Sequence, residues 1–431
     1  MAATSQATNV KFASLDQWLR WQESLHVEDI DLGLDRCREV ARKMGLNRPA
    51  IHVVTVAGTN GKGSSIAMLD AIWRAAGYSV ATYTSPHLRD YNERIRVNGA
   101  PASDAEICYA FERVELARGS TPLTYFEFGT LAALSLFSEA TLDAAILEVG
   151  LGGRLDAVNI IDADVALIAT IGIDHVEYLG GTRAEIALEK AGIMRSGKPA
   201  VCSDIDIPQS LMRRACELPT RLEVLGQTYH YVEDDDDTWS WWSGEKIIAE
   251  LPKPSLLGSY QLGNAAGVIK VIETLMPALQ VAEMHIATGL KETELRGRFQ
   301  VIPGDVELVL DVAHNAQAVA AMVGNLQAHP TGGNTHILLG MLRVKDRDSV
   351  IRLLEPVADS WHLATVVGRR GATGDELYES LKQALGKRTA ARTYDCAAAA
   401  YDGAINNAKS GDRIVALGSF LVVSEVMRCL S

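Results

Sequence analysis

Ile51-His-Val-Val-Thr-Val-Ala57 runs directly into Gly58-Thr-Asn-Gly-Lys-Gly-Ser-Ser65, and this stretch decides the fold. A short run of β-branched and small apolar residues suits a strand buried on both faces, as in a parallel sheet. The glycines let the backbone turn unobstructed, and Ser65 to Ala76 then carries helical spacing of Ile, Met and Leu. Strand, glycine loop, lysine and hydroxyls opening a helix make a phosphate cradle. Loop and helix-terminal N–H groups face the phosphates, and Lys62 adds a mobile positive charge. The spacing departs from G-x-x-x-x-G-K-[ST], because Val occupies position 56 and Gly63 separates Lys62 from Ser64. A plain glycine-rich turn is the competing reading; the strand before, the helix after and the embedded lysine favour the cradle.

Working outward, Ser79 to Tyr83, Ala144 to Val149 and Val165 to Thr170 are further strand candidates, with helical patterns such as Glu127 to Phe137 between them. This alternation predicts an α/β protein with a mainly parallel sheet. In such sheets the carboxyl ends of neighbouring strands converge on the ligand crevice. Three polar residues occupy that position: Ser85, Glu148 (just before Gly150-Leu-Gly-Gly153) and His175 in Asp174-His175. Singly they read as a turn residue, a helix cap and a loop histidine. Their shared place after successive strands makes them candidates to offset phosphoryl charge.

The chain has 431 residues, which suggests two or three domains. Its 41 basic and 54 acidic side chains give a net charge of −13, which argues against broad nucleic-acid or membrane-surface binding. The apolar runs Ala163 to Ala169 and Ile414 to Val423 are shorter than the ~18 residues of a membrane span. Met1 to Val10 is polar and lacks an apolar signal core, and the six cysteines show no CxxC spacing. The expectation is a cytoplasmic protein with reduced thiols and no zinc site, with a monomer as the default. Residues 220–252, rich in aromatic and β-prone side chains, predict a small antiparallel unit closed by Pro252 and Pro254. The acidic run Asp234 to Asp237 within it reads as a solvated turn. A second α/β alternation follows, with strands at Val306 to Leu310, His336 to Leu339, His362 to Val367 and Ile414 to Leu417. Leu295-Arg-Gly-Arg-Phe299 is the natural hinge, dividing residues 1–296 from 297–431.

Several motifs together resemble a known family: Val56-Ala-Gly-Thr-Asn-Gly-Lys-Gly-Ser64, Thr84-Ser-Pro-His-Leu88, Leu147-Glu-Val-Gly-Leu-Gly-Gly-Arg-Leu-Asp-Ala157, Asp174-His175, Glu189-Lys-Ala-Gly-Ile193, Gly297-Arg-Phe-Gln300 and Asp311-Val-Ala-His-Asn315. In this order they resemble bacterial bifunctional dihydrofolate synthase/folylpolyglutamate synthase, of the Mur ligase superfamily. The resemblance implies a P-loop ATPase domain followed by a Rossmann-like α/β domain, with ATP and Mg2+ bound between them. By position, Thr59, Asn60, Gly61, Lys62, Gly63 and Ser64 would hold ATP phosphates, with Asn264, Arg298, Asp311 and His314 completing the nucleotide site. Ser85, Glu148 and His175 would ligate magnesium, and Lys190, carbamylated, would hold a second ion. Lys62, Lys190 and His175 would be the catalytic set. Asp31, Leu32, Gly33, Leu34, Thr124, Tyr125, Phe126, Glu127, Leu155, Asp156 and Ala157 would bind the pterin. Physically, Phe126 offers an aromatic face and Asp156 an acceptor for ring N–H groups. Val158 stands where close relatives more often carry Thr.

The implied activity is addition of L-glutamate to 7,8-dihydropteroate and to reduced folates through an acyl phosphate. A carboxylate repels an attacking amine and has no good leaving group; phosphorylation cures both defects, and the protein's part is mainly positioning and charge neutralisation. Alternatives are a monofunctional folylpolyglutamate synthase and a non-catalytic ATP-binding regulatory protein. A peptidoglycan-precursor ligase is disfavoured, since only about fifty residues precede the first strand.

Overall fold

A computed structural model describes residues 11–26, 30–46, 50, 52–234, 237–276, 278–386 and 390–430. Two helices, α1 (Leu15–Glu23) and α2 (Asp35–Lys43), precede strand β1 (His52–Ala57). Ile51 and the proposed signal-free segment Met1 to Val10 lie outside the described residues. Then come α3 (Lys62–Ala75), β2 (Val80–Tyr83), β3 (Ile95–Val97), β4 (Ala100–Pro101), α4 (Asp104–Arg118), α5 (Tyr125–Glu139), β5 (Ala144–Glu148) and β6 (Val165–Ile168). The short α6 (Val176–Leu179) and α7 (Arg183–Ala191) lead to β7 (Pro199–Cys202), α8 (Gln209–Glu217) and β8 (Arg221–Val224). These strands form one sheet in the order β4-β3-β2-β5-β1-β6-β7-β8. Only the β2–β3 and β3–β4 pairs are antiparallel.

The strand that opened the reading sits inside the sheet, paired in parallel with β5 and β6. Its alternate side chains point to opposite faces, as the pleat requires. Val53 and Ala57 pack into a core shared with α1, α2, α4 and α5. Val54 and Val56 join a second core with α3 and the helices α9 (Tyr260–Leu275) and α10 (Glu283–Glu292). Burial on both faces explains the unbroken apolar run.

The β-rich stretch differs from expectation at its start. Residues 221–224 are β8, an edge strand parallel to β7, so the antiparallel unit is only β9 (His230–Glu233), β10 (Thr238–Ser243) and β11 (Lys246–Pro252). The β-prone pattern of Arg221 to Val224 does not tell which sheet will claim it; that depends on which edge is free to pair. Trp239 and Trp241 of β10 are fully buried, and the Trp241 indole donates to the Ala266 carbonyl of α9 at 3.1 Å. The tryptophans thus anchor the small sheet to a helix that buttresses the glycine loop of residues 58–64. The acidic run joins β9 to β10, with the Asp234 amide donating to Thr238 at 3.1 Å; residues 235 and 236 lie outside the described residues.

The second sheet contains β12 (Gln300–Ile302), β13 (Glu307–Leu310), β14 (Thr335–Leu339), β15 (Ser360–Ala364), β16 (Ala391–Tyr394) and β17 (Arg413–Leu417). Its order is β12-β13-β17-β14-β15-β16, parallel except for β12. Helix α11 (Ala316–Ala328) follows β13.

Candidate functional site

The cradle is set by where each side chain of residues 58–64 finds a partner. Thr59 Oγ1 donates to the Gly172 carbonyl at 2.9 Å and accepts from the Gly172 amide at 2.9 Å, tying the loop to the end of β6. Lys62 Nζ donates to the Gly58 carbonyl at 2.9 Å. From behind, Gln261 of α9 donates to Ser64 Oγ at 3.3 Å, and Asn264 donates to Gln261 at 2.9 Å. Gly61 caps α3 at φ 85°, and a Cβ there would lie 2.5 Å from Asn264 Oδ1. Both backbone conformation and space therefore demand glycine. Gly61→Ala should lower stability by about 1–2 kcal/mol for the left-handed conformation alone, read as a fall in Tm, and should weaken nucleotide binding more than tenfold. Wild-type nucleotide affinity in Gly61→Ala would contradict this.

Around the cradle a cleft of ≈ 260 Å³ gathers residues 58–64, Ser85, Glu148, Asp174, His175, Lys190, Asn264, Arg298, Asp311 and His314. Every residue assigned to nucleotide or metal thus lines one space. Glu148 is buried, and its Oε2 accepts the Ser85 amide at 2.9 Å. Burial pushes its carboxyl up, opposed by Lys62; burial likewise pushes Lys62 down, opposed by Glu148. Lys190 on α7 is pushed down to about 7, first by burial and then by Lys62. His175 is pushed down to about 4, chiefly by burial and then by Lys345, so its imidazole is neutral, the form that can ligate a metal.

The Asp311 carboxylate holds backbone: Oδ1 accepts from Ala313 at 2.7 Å and Oδ2 from Phe299 at 2.9 Å. Phe299, at φ 42°, is thereby held in a rare conformation at the hinge. Arg298 beside it forms no salt bridge among the described residues. Its guanidinium lies 5.2 Å from the Phe420 ring centroid and faces the phosphate loop, 3.7 Å from where a Gly63 Cβ would sit. Asn315 caps α11, accepting from Ala318 at 3.0 Å, and also exchanges amide hydrogen bonds with Asn60 across the cleft at 3.1 and 3.3 Å.

The pterin set lies elsewhere. None of Asp31 to Leu34, Thr124 to Glu127 or Leu155 to Ala157 lines the cleft; Phe126 and Asp156 touch its Gly150 to Gly152 wall. Thr124 and Glu127 form a capping box on α5. Arg36, which sequence reasoning passed over, bridges Glu127 Oε2 at 2.9 Å and Asp31 Oδ2 at 2.5 Å and so joins two of the three segments. Phe126 packs on Gly150, where a Cβ would lie 2.7 Å from its ring. Asp156 accepts the Leu151 amide at 2.9 Å and the Val158 amide at 3.1 Å. Burial raises it to about 7 despite those bonds. Glu127 Oε1 is buried with no hydrogen-bond partner among the described residues.

Sequence reasoning also missed Lys345, Gln317, Tyr260 and Phe420, which come from segments with no motif of their own. Among the described residues no three His, Cys, Asp or Glu side chains form a metal-binding group. The partial set of Ser85 and Glu148 still fits magnesium, which commonly takes one or two protein oxygens and completes its shell with phosphates and water.

Two α/β sheets closing on a strand–glycine loop–helix cradle define a Mur-ligase-type architecture. The Mur ligase middle domain matches residues 56–272, and the Mur ligase glutamate ligase domain matches residues 297–420. The chain is 40% identical to dihydrofolate synthase/folylpolyglutamate synthase of Escherichia coli (strain K12), over 96% of this chain and 95% of that one. It superposes on E. coli FolC in complex with DHPP and ADP with a TM-score of 0.91 at 40% identity, covering 97% and 98% of the two chains. A bifunctional folylpolyglutamate synthase/dihydrofolate synthase with Mn, AMPPNP and L-glutamate bound gives 0.90 at 40% identity, covering 99% and 100%. The chain belongs to the Mur ligase family, and within it to the dihydrofolate synthase/folylpolyglutamate synthases.

Proposed function

We propose that this protein is an ATP-dependent ligase that adds L-glutamate to 7,8-dihydropteroate and further glutamates to reduced folates, releasing ADP and phosphate. The observation that carries the reading is the single cleft in which the glycine cradle, Lys62, Glu148, Lys190 and Arg298 converge. Loop N–H groups and Lys62 hold the phosphates, and Arg298, coming from the hinge, adds charge from the opposite side. Ser85, Glu148, His175 and a carbamylated Lys190 would hold divalent cations, which supply charge neutralisation between the phosphate groups. The carboxylate of the pterin-bearing substrate attacks the γ-phosphate, forming an acyl phosphate; the glutamate amine then displaces phosphate. Asn264, Asp311 and His314 complete the nucleotide pocket. Residues 1–296 and 297–431 act as two domains, and the chain works as a monomer in the cytoplasm; its six unpaired cysteines support the reducing compartment alone. No helix among the described residues is long and apolar enough to cross a membrane.

The test incubates the purified protein with ATP, Mg2+, L-glutamate and either dihydropteroate or tetrahydrofolate, and measures phosphate release. Release with both supports the proposal. Release with tetrahydrofolate alone means a monofunctional enzyme, and release with neither, despite ATP binding, a regulatory protein.

For the pterin set, the unpartnered Glu127 Oε1 and the Phe126 face beside the cleft wall suit a flat ring bearing N–H groups. Asp156→Ala frees the amides of residues 151 and 158 and should slow dihydropteroate glutamylation at least tenfold. An untouched dihydropteroate reaction would refute the pterin assignment.

Lys190 supports a further prediction. An amine near pKa 7 is substantially neutral at physiological pH and so can add CO2. Protein equilibrated with 13C-bicarbonate should show a carbamate resonance that disappears in Lys190→Ala, and small carboxylates should partly restore that variant's activity. A fully active Lys190→Ala enzyme would rule the role out.

A further inference from the structure

Between the two sheets, one carboxylate carries more bonds than the reaction outlined above requires. Asp174 Oδ1 accepts the His175 amide at 2.8 Å and Lys345 Nζ at 2.5 Å. Its Oδ2 accepts Asn315 Nδ2 at 3.2 Å and pairs with His314 Nε2 at 3.3 Å. The side chains of Asp174 and Lys345 are 11% and 7% exposed, so this pair is shielded from solvent. Lys345, His314 and Asn315 all come from the second sheet's connections, whereas Asp174 follows β6 of the first. His175 itself sits at φ 51°, a left-handed conformation that a non-glycine residue holds only when its surroundings impose it.

We infer that Asp174 is a positioning residue: by binding the His175 amide and Lys345 with the same oxygen, it makes the orientation of His175 depend on docking of the second sheet. The inference rests on the functional reading given above. A docked second sheet supplies the Lys345 cation, the Asn315 donor and the His314 ring that surround the carboxylate; the carboxylate then holds His175, whose side chain lines the cleft. When the sheets part, Asp174 loses those three partners at once and keeps only the His175 amide, so the carboxylate that orients His175 is no longer fixed from the second sheet. The surrounding clamp is polar, with Asn60 donating to Gln317 at 2.9 Å as well as to Asn315, and polar contacts of this kind can be exchanged for water without exposing a core. Assembly of the metal-binding set would therefore be coupled to closure of the cleft, which limits wasteful hydrolysis of ATP in the open state.

The test uses Lys345, which lies outside the proposed metal ligands. Binding of Mn2+ in the presence of ADP is followed by electron paramagnetic resonance in the full-length wild type, Lys345→Met, Lys345→Arg, Asp174→Asn and the double variant. Lys345→Met should weaken Mn2+ binding at least tenfold with ADP affinity within threefold of wild type. Lys345→Arg should recover part of the loss, and the double variant should be no worse than Asp174→Asn. Unchanged Mn2+ affinity in Lys345→Met, or losses that multiply in the double variant, would overturn the inference while leaving the ligase reading intact. A wild type that binds no Mn2+ with ADP would overturn both. If Lys345→Met fails to fold, Lys345→Arg decides: wild-type Mn2+ affinity at lowered kcat overturns the inference, and weakened Mn2+ affinity supports it.

Discussion

Lys62→Ala should reduce ATP-dependent glutamylation of every substrate by ~10²–10³-fold, the usual loss when a preorganised donor to developing charge is removed. The side chain is half-buried at the cleft wall and its ammonium is spent on the Gly58 and Thr59 carbonyls, not on core packing. Circular dichroism and Tm should therefore stay close to wild type. Burial holds the amine below its ordinary pKa while Glu148 pushes it back up, so the charge is poised where phosphates would restore it fully. Turnover above about a tenth of wild type would remove Lys62 from the phosphate site, since a contact of that kind is worth ~10²-fold or more.

Glu148→Gln isolates charge from geometry. The amide oxygen can still accept the Ser85 amide now bonded at 2.9 Å, so the end of β5 should keep its shape. The carboxylate is lost, and with it the strongest oxygen donor in the proposed metal set. The expected result is a ~10²-fold or greater fall in kcat, with Mn2+ affinity falling in parallel. Stability should not fall, because burial already disfavours the ionised carboxyl in the folded state. A variant that keeps wild-type kcat, or that loses activity only by unfolding, would falsify the assignment of Glu148 as a ligand.

Most of the proposed nucleotide site was legible because it is local. β1, the glycine loop and α3 are consecutive, so type and spacing were enough to read the cradle, and Ser85, Glu148 and His175 were reached through the rule that strand ends converge. Asp311 and Arg298 were legible only through the resemblance, because a residue at a strand end or hinge has no periodicity to betray it. Arg36, Lys345 and Gln317 were missed for a related reason. Each matters through a partner distant along the chain: Arg36 through Glu127, Lys345 through Asp174, Gln317 through Asn60. The placement of β8 failed similarly, since sheet membership is settled by which edge is free rather than by β-propensity.

By itself, then, the sequence determined a parallel α/β core, a glycine loop between β1 and α3 and the need for glycine in that loop. These follow from short-range sterics and from the burial of both faces of a strand. Only the tertiary structure decided that Asp174 meets Lys345, that Asp156 spends its oxygens on its own loop, and that the proposed pterin residues do not line the cleft. Those outcomes depend on how the sheets and loops approach one another, and burial there turns ordinary side chains into exclusive partners: a buried charge must be matched by whichever group the fold brings to it.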